Sequence, residues 1–300
     1  MSALEQELRA RFRARLQCGR PLADLTSFRI GGPADLYLLV ESEDELAVAL
    51  ATAARNRVAA FCLGSGTNLL VSDRGVRGLV VKLGEAFDTV SIEAVRVTAG
   101  AAAQFRRLVE TVVAAGLAGL EFGEGIPGSV GGGLVMNAGA FGGEMARVVT
   151  AVHGVTAEGD RRTLLKEEVG FAYRRSALPP RFVITRVDFE LATGDQEVLR
   201  GRVMELRAKR AARQPQGLPN AGSVFKNPPG NFAARLLECA GLKGARLGAA
   251  AFSDKHANFI VNLGGARAEE VRALIEMARS QVRDSTGVVL ELEVKLIGDW

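Results

Sequence analysis

The chain has 300 residues, 48% of them hydrophobic and 24% charged, a globular composition that excludes global disorder. No run of about 18 apolar residues is free of charge, and the 38 basic residues behind the net charge of +4 are scattered, so neither a membrane nor a nucleic-acid partner is expected. Cys18, Cys62 and Cys239 form no Cys-x-x-Cys pair and His153 and His256 are the only histidines, which argues against a disulfide framework, a metal site and a His-based triad.

Residues 3–16 carry the first helical pattern, without the apolar core of a signal peptide, and read as the start of a cytoplasmic protein. Asp35–Val40 reads as a strand. Ser42-Glu-Asp-Glu45 is a capping box opening a helix to about Arg55. Short apolar runs at 58–63, 68–72 and 78–83 alternate with glycine-rich turns and complete an α+β unit, 1–84. Strands at 87–92 and 94–99, a helix at 102–115 and strands at 148–157, 161–165 and 181–192 predict a second unit, 85–194. A helix at 195–213 opens a third, 195–300, with helices at 231–240 and 268–285 and a β-rich run at 288–297. Helices and strands interleave without a steady βαβ rhythm, so the fold class is α+β.

Glycine numbers 35, against about 21 for an average chain of this length, and 11 of them fall in residues 116–143. Gly64-Ser65-Gly66-Thr67-Asn68 lies between two strand-like runs, where backbone N–H groups and side-chain donors suit an anion such as a diphosphate. A tight turn between strands also fits it. Gly125-Ile126-Pro127-Gly128-Ser129-Val130-Gly131-Gly132 offers a backbone surface bare of side chains. In Tyr173-Arg174-Arg175-Ser176, Tyr plus Arg can bind a carboxylate or oxyanion, although a surface ion pair is the commoner use. Ser223 follows Ala221-Gly222, which leaves its hydroxyl accessible; without a nucleophile elbow it suits a proton donor, or simply a turn. In Leu290-Glu291-Leu292-Glu293-Val294, alternation predicts a strand with both glutamates on one face, solvated unless a site claims them.

Taken in order, these segments resemble the UDP-N-acetylenolpyruvoylglucosamine reductase family. The resemblance rests on Thr26-Ser-Phe-Arg29-Ile-Gly-Gly-Pro33, Leu63–Leu70, Gly125–Gly131, Met136-Asn-Ala-Gly139, Tyr173-Arg174-x-Ser176, Ala221-Gly-Ser223-x-Phe-Lys-Asn-Pro228 and Leu290-Glu-x-Glu293. It implies a two-subdomain FAD-binding fold of the vanillyl-alcohol-oxidase type plus a C-terminal α+β substrate-binding domain. It also implies hydride transfer from NADPH to FAD, and then reduction of UDP-N-acetylglucosamine enolpyruvate to UDP-N-acetylmuramate in peptidoglycan precursor synthesis. An oxidase on the same fold and a non-catalytic flavin-binding module are the alternatives.

By matched motif the resemblance makes Ser223 the proton donor, with Arg174 and Glu293 stabilising the enol intermediate. Arg29, Gly64, Ser65, Gly66, Thr67, Asn68, Gly125, Ile126, Pro127, Gly128, Ser129, Gly131 and Gly132 would hold FAD. Tyr173, Arg207, Arg210 and Asn227 would face the UDP-sugar. The protein would act as a monomer or weak homo-oligomer. Only 48 residues separate Arg174 from Ser223, and Tyr37 and Tyr173 are the only tyrosines. The longer family type carries a lid tyrosine in that interval, so the chain resembles the short type II form and its lid must differ.

Overall fold

The computed structural model describes residues 3–300. Its α-helices are α1 (Ala3–Phe12), α2 (Glu43–Arg55), α3 (Phe105–Ala114), α4 (Val130–Val135), α5 (Gln196–Arg213), α6 (Ala233–Cys239) and α7 (Ala268–Thr286). Interspersed with them are short strands, in agreement with the α+β class. Contacts group the chain into two units: residues 1–18, 36–65 and 78–210 in the first, and 19–35, 66–77 and 211–300 in the second.

The first unit holds a five-stranded sheet, most of a four-stranded one and two short two-stranded pairings. A four-stranded sheet runs in the order Leu16–Pro21, Pro33–Val40, Val76–Leu83, Ala60–Cys62, the last pair parallel with Ala60 opposite Leu79. An antiparallel five-stranded sheet runs in the order Arg161–Leu165, Val149–Val155, Val183–Glu190, Arg96–Gly100, Val90–Glu93. In its centre, Val187 pairs with Val152 on one side and Ala99 on the other. Period-2 burial along Val183–Glu190 puts Val187 and Phe189 inside and Arg186 and Glu190 out. At α2, Ser42 caps the helix by accepting from the Glu45 N–H (3.2 Å), while the Glu45 carboxylate accepts from the Glu41 N–H (2.8 Å) and from Arg15. Leu46, Ala49, Leu50 and Ala53 of α2 and Phe105, Leu108, Val109 and Val112 of α3 all enter this core.

The second unit is built on an antiparallel sheet ordered Asn220–Ser223, Phe259–Asn262, Ala250–Phe252, Arg246–Leu247. Packed into its core are Val271, Leu274, Ile275, Ala278 and Val282 of α7, together with Phe28, Ile30 and Leu70. Gly287, at φ 73, ends α7 by returning its N–H to the Arg283 carbonyl (2.8 Å).

Four local expectations are corrected. The first helix stops at Phe12, because Arg13 turns left-handed (φ 48), and Leu16–Pro21 is a strand rather than its last turn. The glycine tract contains the helix α4, capped by Ser129 accepting from the Gly132 N–H (3.4 Å). Of the run 288–297 only Lys295–Ile297 is a strand, parallel to Leu69–Val71. Three strands between residues 246 and 262 were not predicted: each is two to four residues long, too short to show a period.

Candidate active site

The two glycine loops meet inside the first unit. A β-carbon on Gly64 would lie 3.1 Å from Ser129 Oγ, and one on Gly132 3.4 Å from the same oxygen. Gln104 joins them: its Nε2 donates to Ser65 Oγ (3.4 Å), and its backbone forms an antiparallel bridge with Ser129. Lys82 Nζ donates to the Gly64 carbonyl from a largely buried position that pulls its pKa down. Among the described residues, the N–H groups of Gly64, Ser65, Gly66 and Asn68 donate to no protein acceptor. Gly125 and Gly128 hold φ of 70 and 126, conformations that glycine adopts without strain. A dinucleotide's diphosphate presents only acceptors, so these unused donors and the bare glycine surface beside them fit FAD.

Gly66 has a requirement the sequence did not reveal. At φ 65, its β-carbon would lie 2.3 Å from the Leu25 carbonyl oxygen, so backbone packing demands glycine before any ligand does. Gly66→Val is therefore expected to unsettle the fold, and Gly64→Ala is the cleaner probe of the loop. Gly64→Ala should fold with an unchanged circular dichroism spectrum and weaken FAD retention by about tenfold, measured by flavin fluorescence on dilution. Full retention would remove Gly64 from cofactor contact.

Tyr173 and Arg174 form the tip of a two-residue turn closed by Ala172 and Arg175, which exchange backbone hydrogen bonds of 2.9 and 3.1 Å. Arg174 is left-handed (φ 54), a conformation that costs a non-glycine residue free energy, and its guanidinium stands 5.3 Å over the Tyr173 ring. Arg207 and Arg210 of α5 are laid onto the loop around Glu124. Arg207 Nε donates to Glu124 Oε1 (2.7 Å), and Glu110 lies 3.6 Å from Arg207 Nη2. Arg210 Nε donates to the Glu124 carbonyl (3.1 Å), its stem covers Gly125, and its guanidinium sits 5.6 Å over Phe141. Burial pulls the Arg210 pKa down, Glu124 opposes that fall and the charge of Arg174 adds to it. The Glu124 hydrogen bond holds Arg207 up. Three guanidiniums against Glu124 and Glu110 leave a cationic patch suited to an anionic ligand. Glu124, 2% exposed, was not among the expected site residues; its one signal is a carboxylate set among glycines.

In the second unit, Ser223 ends a strand whose register slips between Asn220 and Ser223, a bulge of the kind that re-aims a side chain. Gly222 supplies the left-handed step (φ 74). The segment beyond is clamped by the buried Asn258, which accepts from the Phe225 N–H (3.0 Å) and donates to the Phe225 carbonyl (2.8 Å). Among the described residues, the Ser223 hydroxyl has no protein partner.

The expected strand with both glutamates on one face is not formed. Leu290–Val294 is irregular, tied by a single bridge at Phe225–Leu292. Glu291 is 74% exposed and pairs with Lys226 (3.2 Å), whereas Glu293 is half-buried and its N–H donates to the Val224 carbonyl (2.8 Å), one residue from Ser223. Asn68 Nδ2 donates to the Glu293 carbonyl (3.0 Å), so Thr67–Asn68 adjoins this segment. Ser27 binds the Asn220 carbonyl through Oγ (2.7 Å) and the Gly66 carbonyl through its N–H (3.1 Å), beside Arg29 in a left-handed turn (φ 54). Asn227 Oδ1 accepts from the Ala233 N–H (3.0 Å) at the start of α6.

His256 Nδ1 accepts from the Asn258 N–H (3.2 Å), and burial lowers its pKa below the ordinary 6.5. The unfolded chain therefore takes up this proton first. Stability is full above about pH 6.5 and falls as the pH drops below that value, until the folded pKa is passed. Thermal denaturation from pH 7.5 to 5 should show this slope, and His256→Gln should flatten it.

Among the described residues, no helix is long and apolar enough to cross a membrane, and no cluster of three or more His, Cys, Asp or Glu could hold a metal. A family profile described as "FAD binding domain" matches residues 34–164, and one described as "UDP-N-acetylenolpyruvoylglucosamine reductase, C-terminal domain" matches residues 214–297. UDP-N-acetylenolpyruvoylglucosamine reductase 2 of Symbiobacterium thermophilum is 45% identical, covering 99% of this chain and 98% of the relative. The reductase of Heliobacterium modesticaldum is 44% identical, covering 96% and 92%. The crystal structure of UDP-N-acetylenolpyruvylglucosamine reductase from Thermus caldophilus superposes with a TM-score of 0.82 at 39% identity, over 94% of this chain and 98% of that one. With full-length likeness in sequence and in fold, and a flavin-binding domain in the expected place, the chain belongs to the UDP-N-acetylenolpyruvoylglucosamine reductase family, enzymes that are flavin-dependent oxidoreductases.

Proposed function

We infer that this chain reduces UDP-N-acetylglucosamine enolpyruvate to UDP-N-acetylmuramate, with NADPH as the electron source, in peptidoglycan precursor synthesis. The observation that carries the reading is the unengaged Ser223 hydroxyl on the chain segment adjoining Glu293, in a chain of this family. FAD, when bound, supplies the hydride to one carbon of the enol ether. Negative charge then develops on the neighbouring carbon and its carboxylate, and Arg174 is the cation assigned to meet it. Ser223 Oγ gives its proton to that carbon. Glu293, with Arg174, stabilises the enol intermediate. Gly64–Asn68 and Gly125–Gly132, with Arg29, bind the cofactor. Tyr173, Arg207, Arg210 and Asn227 bind the UDP-sugar. We assign the reaction to the cytoplasm, to a monomer or weak homo-oligomer, and to a chain whose functional parts are 1–84, 85–194 and 195–300.

A purified, anaerobic preparation should be yellow, bleach with NADPH and recover its colour on adding the enolpyruvyl UDP-sugar. Colour that returns with oxygen and not with the sugar would make the chain an oxidase instead.

A further inference from the structure

Asn137 is 1% exposed and left-handed (φ 41), and it uses both ends of its amide. Its Nδ2 donates to the Ala172 carbonyl (3.2 Å), and its Oδ1 accepts from the Ala146 N–H (3.0 Å). Its own N–H donates to the Leu134 carbonyl (3.0 Å), at the end of α4. Ala172 is the first residue of the turn whose tip is Tyr173–Arg174. The other side of that turn is tied to the same helix, because Ser176 donates to the Val135 carbonyl through both its N–H (3.1 Å) and Oγ (3.0 Å). The tip is thus tethered on both sides to the end of α4, and the residue it presents, Arg174, stands in a left-handed conformation that its surroundings must impose.

We propose that Asn137, assisted by Ser176, is a positioning residue for Arg174: it fixes where the guanidinium stands without touching the substrate. The inference rests on the role given to Arg174 above. A carboxamide suits the place because the site needs a donor toward Ala172 and an acceptor toward Ala146 from one short side chain, at a backbone angle that Asn tolerates. Asp has the same size and the same tolerance of this angle, but it lacks the donor and sets an oxygen against the Ala172 carbonyl. Asn137→Asp therefore breaks one tether, and because it also sets an acid in a site only 1% exposed, its folding and flavin content are checked first.

The test is a double-mutant cycle on the holoenzyme, read by stopped flow in both half-reactions. Asn137→Asp should slow flavin reoxidation by saturating enolpyruvyl UDP-sugar by about 10- to 100-fold, the scale of a roughly 1 Å misplacement. It should leave reduction by NADPH and FAD retention within about twofold of wild type, and add less than about twofold in an Arg174→Ala background. Wild-type reoxidation, equal slowing of both half-reactions, or the full factor repeated in the Arg174→Ala background would overturn the proposal. If Arg174→Ala alone reoxidises at the wild-type rate, the role of Arg174 fails first and takes the inference with it. Ser176→Ala trims the second tether and carries the same cycle should Asn137→Asp not fold.

Discussion

Replacing Ser223 by Ala should leave reduction of the flavin by NADPH nearly intact and slow its reoxidation by the enolpyruvyl UDP-sugar by about 10²- to 10⁴-fold, the usual worth of a positioned general acid. The expectation follows from how the residue is held. A register slip and the left-handed Gly222 turn the end of the strand, Asn258 clamps the residues that follow, and the hydroxyl is left without a protein partner among the described residues. Removing one oxygen from such a place deletes no hydrogen bond of the fold, so stability should change by no more than about 0.5 kcal/mol. Stopped-flow traces of the two half-reactions check the split. Equal slowing of both would make Ser223 a structural residue.

The second large effect is expected at Glu293. Gln preserves its shape and cannot hold an acidic proton, so Glu293→Gln should depress reoxidation strongly, by about 10²-fold or more, while sparing folding and FAD retention. Glu291 is the internal control. It reaches into solvent with Lys226 at 3.2 Å, and an exposed pair of this kind contributes little. Glu291→Gln should therefore stay within about twofold of wild type, as surface substitutions do. Near-wild-type reoxidation by both variants would return Glu293 to a role in the segment's packing.

The two glutamates also show how far the sequence could be read. Alternation in Leu290–Val294 suggested a strand with equivalent glutamates, whereas their surroundings are set by Phe225, Val224 and Asn68, between 66 and 225 residues away along the chain. No local pattern encodes partners that distant. Capping was legible at Ser42–Glu45 because its bonds close within four residues, and the long helices α2, α5 and α7 were legible because they repeat a period several times. The strand Ala250–Phe252 repeats nothing. The candidate site was legible through its motif residues, but the residues that hold them were not. Asn137 stood inside a quoted motif without an evident task, since its partners Ala172 and Ala146 are alanines that contribute only backbone. Gly66 has a second reason to be glycine that its motif does not show, since the Leu25 carbonyl comes from a segment about 40 residues earlier.

The second unit is assembled from three separate stretches, and this bears on how the chain matures. Phe28, Ile30 and Leu70 leave the ribosome well before residues 211–300, which supply the rest of their core, and Ser27 must wait for Asn220 and Asn68 for Glu293. Such distant closures are slow, and until they form the early apolar residues stay uncovered. Until residues 211–300 have been made, Phe28, Ile30 and Leu70 therefore lack most of the side chains they pack against.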